Sequence, residues 1–269
     1  MFPDLLKVGP LALSFYGLAV ALGVLAGLAL VSLTAPRRGL DPAVVRDFCV
    51  WMVLAGLAGS RLAYAAFHWP EFTDDWWGIP AYWRGGLMFQ GGLAGAILVS
   101  PFFLKKAGLA FRPTADVLAP SLALGQALGR LGCLSAGCCY GLPLEPGAPW
   151  GLTFPPGSQA PAGTPLWPTQ PVEAFFLALL ALGLIAALHS ERFRRPGLVA
   201  ALYLAGAGAI RLILEGFRGD FRGESPLFDL PPTTLAAALT LVLGLTLLSA
   251  RARLPGKHGG PGGDAGPNF

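Results

Sequence analysis

The chain has 269 residues, of which 54% are hydrophobic and 13% are charged, and its mean hydropathy is +0.59. Soluble domains carry about 25% charged residues, so this composition excludes an ordinary soluble protein and indicates an integral membrane protein. The net charge of +4 does not indicate a nucleic-acid partner, because most basic residues follow apolar segments and mark membrane topology.

Seven apolar segments follow one another along the chain, each close to the roughly 20 residues needed to cross the hydrocarbon layer. They lack the period-two alternation of strands, and a chain in lipid must satisfy its backbone hydrogen bonds internally. We therefore predict an all-α integral membrane protein built as a seven-helix bundle. The segments cover approximately residues 11–33, 44–67, 86–104, 115–131, 172–188, 197–214 and 232–250.

Basic residues follow the odd-numbered segments, three after each, which accounts for 12 of the 19 basic residues. Cytoplasmic loops carry an excess of Lys and Arg, so this side is predicted to be cytoplasmic. The N-terminus and the connections after segments two, four and six then face outward, and the C-terminus lies in the cytoplasm. The twelve residues are Arg37, Arg38, Arg46, Lys105, Lys106, Arg112, Arg192, Arg194, Arg195, Arg251, Arg253 and Lys257.

The outward connections after segments two and four have compositions that differ from those of simple linkers. The arm, residues 68–84, carries four tryptophans, one tyrosine and three acids, which suits the headgroup level. Either an aromatic belt or substrate contact explains this composition. The cap, residues 133–170, is rich in Gly and Pro and is predicted to be irregular. We predict one membrane catalytic domain, residues 1–254, followed by a disordered cytoplasmic tail, residues 255–269.

Seven basic residues remain once the twelve topology markers are removed, and six of them are arginines. Pairing with internal acids explains any single arginine, as for Arg211 with Glu215 one turn later. Several arginines at the same outer depth also predict bidentate binding of a lipid phosphate. We therefore expect an anionic phospholipid that enters from the outer leaflet. The seven are Lys7, Arg61, Arg84, Arg130, Arg211, Arg218 and Arg222.

The sequence GQALGRLGCLSAGCCYG, residues 125–141, places Arg130 beside Cys133, Cys138 and Cys139. Their spacing is not the paired CxxC of a zinc site, so we expect no metal and no cofactor. Cys133 is able to pair with Cys138 or Cys139 in an oxidising compartment, or the cysteines are small loop residues. A third interpretation is a thiol-redox protein, in which Arg130 lowers the pKa of Cys133 or Cys138.

Six motifs, in order along nearly the whole chain, resemble the bacterial prolipoprotein diacylglyceryl transferases. They are SFYG (14–17), GSRLAY (59–64), GGLMFQGGLAG (85–95), GRLGCLSAGCCYG (129–141), PTQPVEA (168–174) and GAIRLILEGFR (208–218). The resemblance implies a seven-helix enzyme of the bacterial cytoplasmic membrane. Its implied reaction moves the diacylglyceryl group from phosphatidylglycerol to the lipobox cysteine of a preprolipoprotein, which forms a thioether and releases glycerol phosphate.

The resemblance also implies roles for individual residues. Arg130 and Arg211 match two essential arginines that bind phosphate, and Tyr16 matches a functional tyrosine. Three recurrent polar positions and the closing signature glycine complete the expected phospholipid site, namely Arg61, Glu215, Arg218 and Gly141.

This chain also departs from the family pattern. Gln90 stands where the family has a histidine, and Cys133 and Cys138 replace an asparagine and a glutamate. Gln90 belongs to the predicted catalytic set with Tyr16, Arg130 and Arg211, but an amide cannot act as a base at neutral pH. An activity-altered homologue that acts on another lipid or thiol is therefore the alternative. A non-enzymatic transporter is disfavoured, because internal repeats are not visible in the sequence.

Overall fold

The computed structural model describes residues 4–8, 11–220 and 230–252 of the chain. Within these ranges lie seven helices of 18 residues or more, and each predicted apolar segment corresponds to one of them. Six are long and apolar enough to cross a membrane, and α3 is the exception. The prediction of a helical membrane bundle is therefore confirmed. The helices are α1 (Phe15–Thr34), α2 (Pro42–Phe67), α3 (Phe89–Lys106), α4 (Phe111–Ala136), α5 (Thr169–His189), α6 (Leu198–Glu215) and α7 (Pro232–Ala252).

The chain begins with a short antiparallel hairpin, which the all-α prediction missed. Strand β1 (Asp4–Val8) pairs with β2 (Leu11–Ser14), so the first four residues of the predicted first helix are extended. Helix α1 starts only after Ser14, whose hydroxyl accepts a hydrogen bond from the Gly17 amide at 3.0 Å. An N-cap residue has non-helical backbone angles, and therefore the cap marks the boundary that hydropathy alone does not.

Helix α4 occupies the centre of the bundle and packs against α1, α5 and α6, while α2 pairs with α3 and α6 with α7. Small residues allow the paired helices to approach closely. A Cβ atom on Gly59 of α2 would lie 2.5 Å from the Gly91 carbonyl oxygen of α3. A Cβ atom on Gly208 of α6 would lie 2.7 Å from the Leu241 amide nitrogen of α7. Glycine contacts of this kind fix the helix pairs.

Irregular structure follows α2 and α4, as predicted for the arm and the cap. The arm contains three short 3₁₀ turns. The buried guanidinium of Arg61 donates to four of the carbonyls at the end of the arm and the start of the next segment, those of Gly78 (2.6 Å), Ile79 (2.7 Å), Gly86 (2.9 Å) and Gly85. The cap encloses a small core of its own, formed by Phe154, Ala160 and Leu166. Both connections are therefore folded, although neither contains a long helix.

The opposite end of the bundle is held by a buried ion pair. Arg38 lies 3.2 Å from Asp116 and donates to the carbonyls of Phe193 (2.7 Å) and Arg194 (2.9 Å). Asp116 in turn accepts from the backbone amides at the start of α6. Arg38, expected only to mark topology, thus also joins three segments. The predicted tail, Arg222 and the side chain of Arg84 lie outside the described residues.

Candidate anion-binding site

A chain of ion pairs joins α4, α5 and α6 at the end that carries the cap. Arg130 Nη2 lies 2.9 Å from Glu173 Oε1, and Arg211 Nη1 lies 3.8 Å from Glu173 Oε2. Arg211 Nη2 also lies 3.3 Å from Glu215 Oε2. Glu173 is 5% exposed and therefore holds two arginines from different helices at one buried point. The structure thus brings three of the predicted site residues together, namely Arg130, Arg211 and Glu215.

Arg218 joins this cluster from the segment after α6. Its guanidinium forms a bidentate salt bridge with Asp220, in which Nε donates to Oδ1 at 3.0 Å and Nη2 donates to Oδ2 at 2.7 Å. Burial alone would lower the pKa of Arg218, but hydrogen bonds to Asp220 and the nearby Cys139 sulfur raise it. Arg218 is therefore a permanent cation. It also lies close enough to repel Arg130 and Arg211.

Two arginine nitrogens in the cluster have no hydrogen-bond acceptor among the described residues. They are Nη1 of Arg211 and Nη1 of Arg218, which are buried and unpartnered within the described part of the chain. A buried donor without an acceptor costs about 1–3 kcal/mol. An oxyanion would remove that cost, and phosphate oxygens match guanidinium geometry well. The cluster is thus suited to bind an anion.

Gly141 contributes by packing and backbone pairing. It forms an isolated antiparallel bridge with Arg218, and the Leu142 amide donates to the Phe217 carbonyl at 2.9 Å. A Cβ atom at position 141 would lie 2.5 Å from the Trp167 Cβ atom. Glycine at this position therefore lets three backbone segments meet beside Arg218, whereas its predicted role in phospholipid binding stays a prediction.

The cysteine loop begins where α4 ends. Cys139 has a φ of 60°, which is uncommon outside glycine, and its carbonyl accepts from Thr169 Oγ1 at 3.0 Å. The Cys138 carbonyl accepts from Gln170 Nε2 at 2.9 Å. The first turn of α5 therefore fixes the conformation of this loop.

The sulfurs of Cys138 and Cys139 in this loop and of Cys133 in the last turn of α4 lie within 4.8 Å of one another. Cys133, Cys138 and Cys139 are free thiols in this structure, so the predicted disulfide stays a prediction. Hydrogen bonding with the Cys133 and Cys138 thiols lowers the pKa of Cys139, and the nearby Arg218 lowers it further. Contact with Cys133 and Cys139 raises the pKa of Cys138. Any thiolate in the loop is therefore expected first at Cys139.

Three predicted site residues lie at different distances from this cluster. Tyr16 borders it, because its ring packs against Gly132 and its hydroxyl interacts electrostatically with the loop cysteines and Arg130. Gln90 is exposed at the start of α3, and no hydrogen bond in the described ranges links it to the arginines. Arg61 is not in the cluster, because its guanidinium is surrounded by the carbonyls of the arm.

Four residues that shape the site received no role from the sequence. Glu173 is the clearest omission, since an acid at the second position of an apolar segment is itself a signal for a buried ion pair. Thr169 and Gln170 are visible in the PTQPVEA motif, but their bonds to the cysteine loop depend on the fold. Asp220 gave no signal, because its pairing with Arg218 depends on a local turn.

Comparison with known proteins shows similarity to one family along nearly the whole chain. The family described as "Prolipoprotein diacylglyceryl transferase" matches residues 3–250. Three relatives carry the name "Phosphatidylglycerol--prolipoprotein diacylglyceryl transferase". The one from Gloeobacter violaceus is 32% identical over 255 residues, 93% of this chain and 94% of its own. That from Synechococcus elongatus is 33% identical, over 90% and 86% of the two chains. That from Symbiobacterium thermophilum is 32% identical, over 97% of each chain.

Proposed function

Since the chain belongs to the prolipoprotein diacylglyceryl transferase family, we propose that its arginine cluster binds the phosphate of phosphatidylglycerol during diacylglyceryl transfer. The chain is thus a transferase. Its acceptor is the thiol of a lipobox cysteine in a preprolipoprotein signal peptide. The observation that carries this assignment is the pair of buried nitrogens on Arg211 and Arg218 that have no hydrogen-bond partner within residues 4–8, 11–220 and 230–252.

The chemistry requires stabilisation of a leaving phosphate. The lipobox thiolate attacks the glycerol carbon that carries the phosphate ester, a C–S bond forms, and the C–O bond breaks with its electron pair on the phosphate oxygen. The phosphate gains negative charge as it leaves, so donors fixed at that point stabilise the transition state more than the bound lipid. Arg130, Arg211 and Arg218 supply these donors, and their field also favours the thiolate over the thiol.

Glu173 is a positioning residue in this proposal. Without a shared carboxylate, the guanidinium groups of Arg130 and Arg211 would repel one another and turn towards water. Glu215 is also a positioning residue. It accepts a hydrogen bond from Thr234 Oγ1 at 2.7 Å and thereby connects Arg211 to the first turn of α7. Carboxylates thus fix the arginines before the phospholipid binds.

We further propose that all seven helices span the bilayer with the site at the outer leaflet. Helix α3 has 18 residues, which corresponds to about 27 Å of helix and is close to the hydrocarbon thickness. The excess of basic residues at the opposite end supports a cytoplasmic location for that end and for the C-terminus. A reporter fused to the C-terminus that fluoresces only in the cytoplasm tests this orientation. A fusion protein that is present at normal abundance but does not fluoresce would contradict this orientation.

The direct test of function uses purified protein, phosphatidylglycerol vesicles and a lipobox peptide, with the thioether product detected by mass. Wild-type protein is expected to form the product, and Arg130→Ala and Arg211→Ala are expected to abolish it. Arg194→Ala is the matched control, because Arg194 is exposed at the other end of the bundle. Absence of product with wild-type protein, or normal rates for both site variants, would refute the assignment.

A further inference from the structure

The folded cysteine loop forms a cluster that sequence spacing does not predict. Cys133 lies at the start of the last turn of α4, and Cys138 and Cys139 follow in the loop, yet all three sulfurs lie within 4.8 Å of one another. In tetrahedral zinc sites a Zn–S bond of about 2.3 Å places sulfurs about 3.8 Å apart. Contraction by about 1 Å or less would therefore bring all three sulfurs to zinc distance.

The backbone of the loop is already fixed in the converging conformation. The Cys138 amide donates to the Cys133 carbonyl at 3.2 Å, and Gln170 and Thr169 hold the carbonyls of Cys138 and Cys139. Cys139 has a left-handed backbone conformation, with a φ of 60°. A metal ion would thus find its ligands preassembled.

The surrounding charge favours a thiolate–metal complex. Three thiolates around a divalent cation carry a net charge of −1, and Arg130 and Arg218 both lie close enough to interact with the cysteines. Thiolate ligands select soft or borderline cations such as Zn²⁺ over Mg²⁺ and Ca²⁺. The arginines that are placed to bind phosphate would therefore also stabilise the anionic complex.

We propose that Cys133, Cys138 and Cys139 form a three-thiolate site for a zinc-class cation with one open coordination position. The role of that position rests on the proposed function: it binds the incoming lipobox thiol. On coordination this thiol releases its proton to water, because a metal-bound thiol is deprotonated. The thiolate then attacks the glycerol carbon beside the arginines, glycerol phosphate leaves with the electron pair, and the neutral thioether dissociates from the metal. Such a site would supply the thiol activation that Gln90 cannot.

Metal binding is tested on the full chain in detergent micelles, with a non-thiol reductant. We expect one equivalent of Zn²⁺ by equilibrium dialysis, and with Cd²⁺ the ultraviolet charge-transfer band of a thiolate complex. Cys133→Ser, Cys138→Ser and Cys139→Ser are each expected to weaken zinc binding at least tenfold. Cys49→Ser is the matched control, because Cys49 packs in a separate apolar cluster with Val45. Gel filtration and helical circular dichroism verify that each variant is folded.

The outcomes separate the metal site from the proposed function. Zinc binding that survives the three substitutions, or a wild-type protein without the cadmium band, would overturn the metal site. Loss of transfer after chelation, with recovery on zinc addition, supports the role of the open position, whereas an unchanged rate in metal-free protein overturns that role. Arg130→Ala should retain zinc while losing transfer. If the wild-type protein transfers nothing with or without zinc, the proposed function fails while dialysis still decides the metal site.

Discussion

Glu173 on α5 holds Arg130 on α4 at 2.9 Å, and its second oxygen faces Arg211 on α6 at 3.8 Å. One carboxylate thereby balances two cations that would otherwise repel one another in a buried position. The longer distance to Arg211 leaves Nη1 of that residue without a hydrogen bond in the described structure. The same carboxylate that assembles the cluster therefore also leaves a donor for an anion.

Glu173→Gln should preserve the helix bundle and reduce transfer. The amide has nearly the same shape but no charge, so it holds Arg130 and Arg211 less firmly. A hydrogen bond to a charged group contributes about 1.5–3 kcal/mol, and about 1.4 kcal/mol is a factor of ten, so the rate should fall about tenfold to a hundredfold. Transfer assays measure this change. Glu191→Gln, which alters an exposed ion pair with Arg194, is the control, and equal rates for the two variants would contradict the role of Glu173.

Apolar length predicted every long helix, because a lipid-spanning helix needs little more than hydrophobicity to be recognised. It missed the strand before α1, since Leu11 and Leu13 are as apolar as the helix that follows. The sequence also predicted that Arg130 and Arg211 share a site. It could not exclude Arg61, whose acceptors are backbone carbonyls up to 25 positions away. The convergence of the three cysteine sulfurs could not be predicted for a similar reason, because it depends on the folded loop, which is held by Thr169 and Gln170.

Arg211→Lys should distinguish the contribution of positive charge to phosphate binding from the contribution of guanidinium geometry. Lysine keeps the positive charge but has a single donor group, so it cannot pair with Glu215 and bind a phosphate oxygen in the same fork. We expect at least about a tenfold loss of transfer, on the basis of one charged hydrogen bond. Rate measurements over a range of phosphatidylglycerol concentrations give the effect. Arg194→Lys is the control, and a normal rate for Arg211→Lys would show that charge alone is sufficient.

Arg61→Ala should loosen the arm instead of removing a phosphate ligand. Removal of the guanidinium takes a charged donor from four carbonyls, of which, within the described residues, only that of Gly78 keeps a second donor, the Ala81 amide at 3.2 Å. The loss of these charged hydrogen bonds is expected to cost about 3 kcal/mol or more. Thermal unfolding in micelles and protease cleavage between residues 68 and 86 report on this change. Arg112→Ala, at an exposed position of α4, should leave both measurements unchanged. A normal arm with weaker phosphatidylglycerol binding would instead support the lipid-binding role predicted from the sequence.

Asp116→Ala should destabilise the protein from the end opposite the arginine cluster. The substitution removes the partner of Arg38 and the acceptor for the Gly197 and Ala200 amides. A lost helix cap together with an uncompensated buried charge should cost about 3–5 kcal/mol. Unfolding in denaturant measures the loss, whereas transfer at low temperature should stay near wild type. Asp41→Ala removes the exposed cap of α2 and should cost only about 1 kcal/mol. Equal losses for the two variants would contradict the account of Asp116.

Gly141→Ala should abolish transfer by separating the segments that carry the site. The added methyl group would lie 2.5 Å from the Trp167 Cβ atom, so the cap must move away from the backbone bridge with Arg218. Arg218 is paired with Gly141 through that bridge, so it would be displaced from its position beside Cys139. Gly129→Ala is the matched control, because open space surrounds that position and alanine also favours the helix. Transfer and thermal unfolding should both fall for Gly141→Ala and stay unchanged for Gly129→Ala. Similar behaviour of the two variants would show that close packing at Gly141 does not position Arg218.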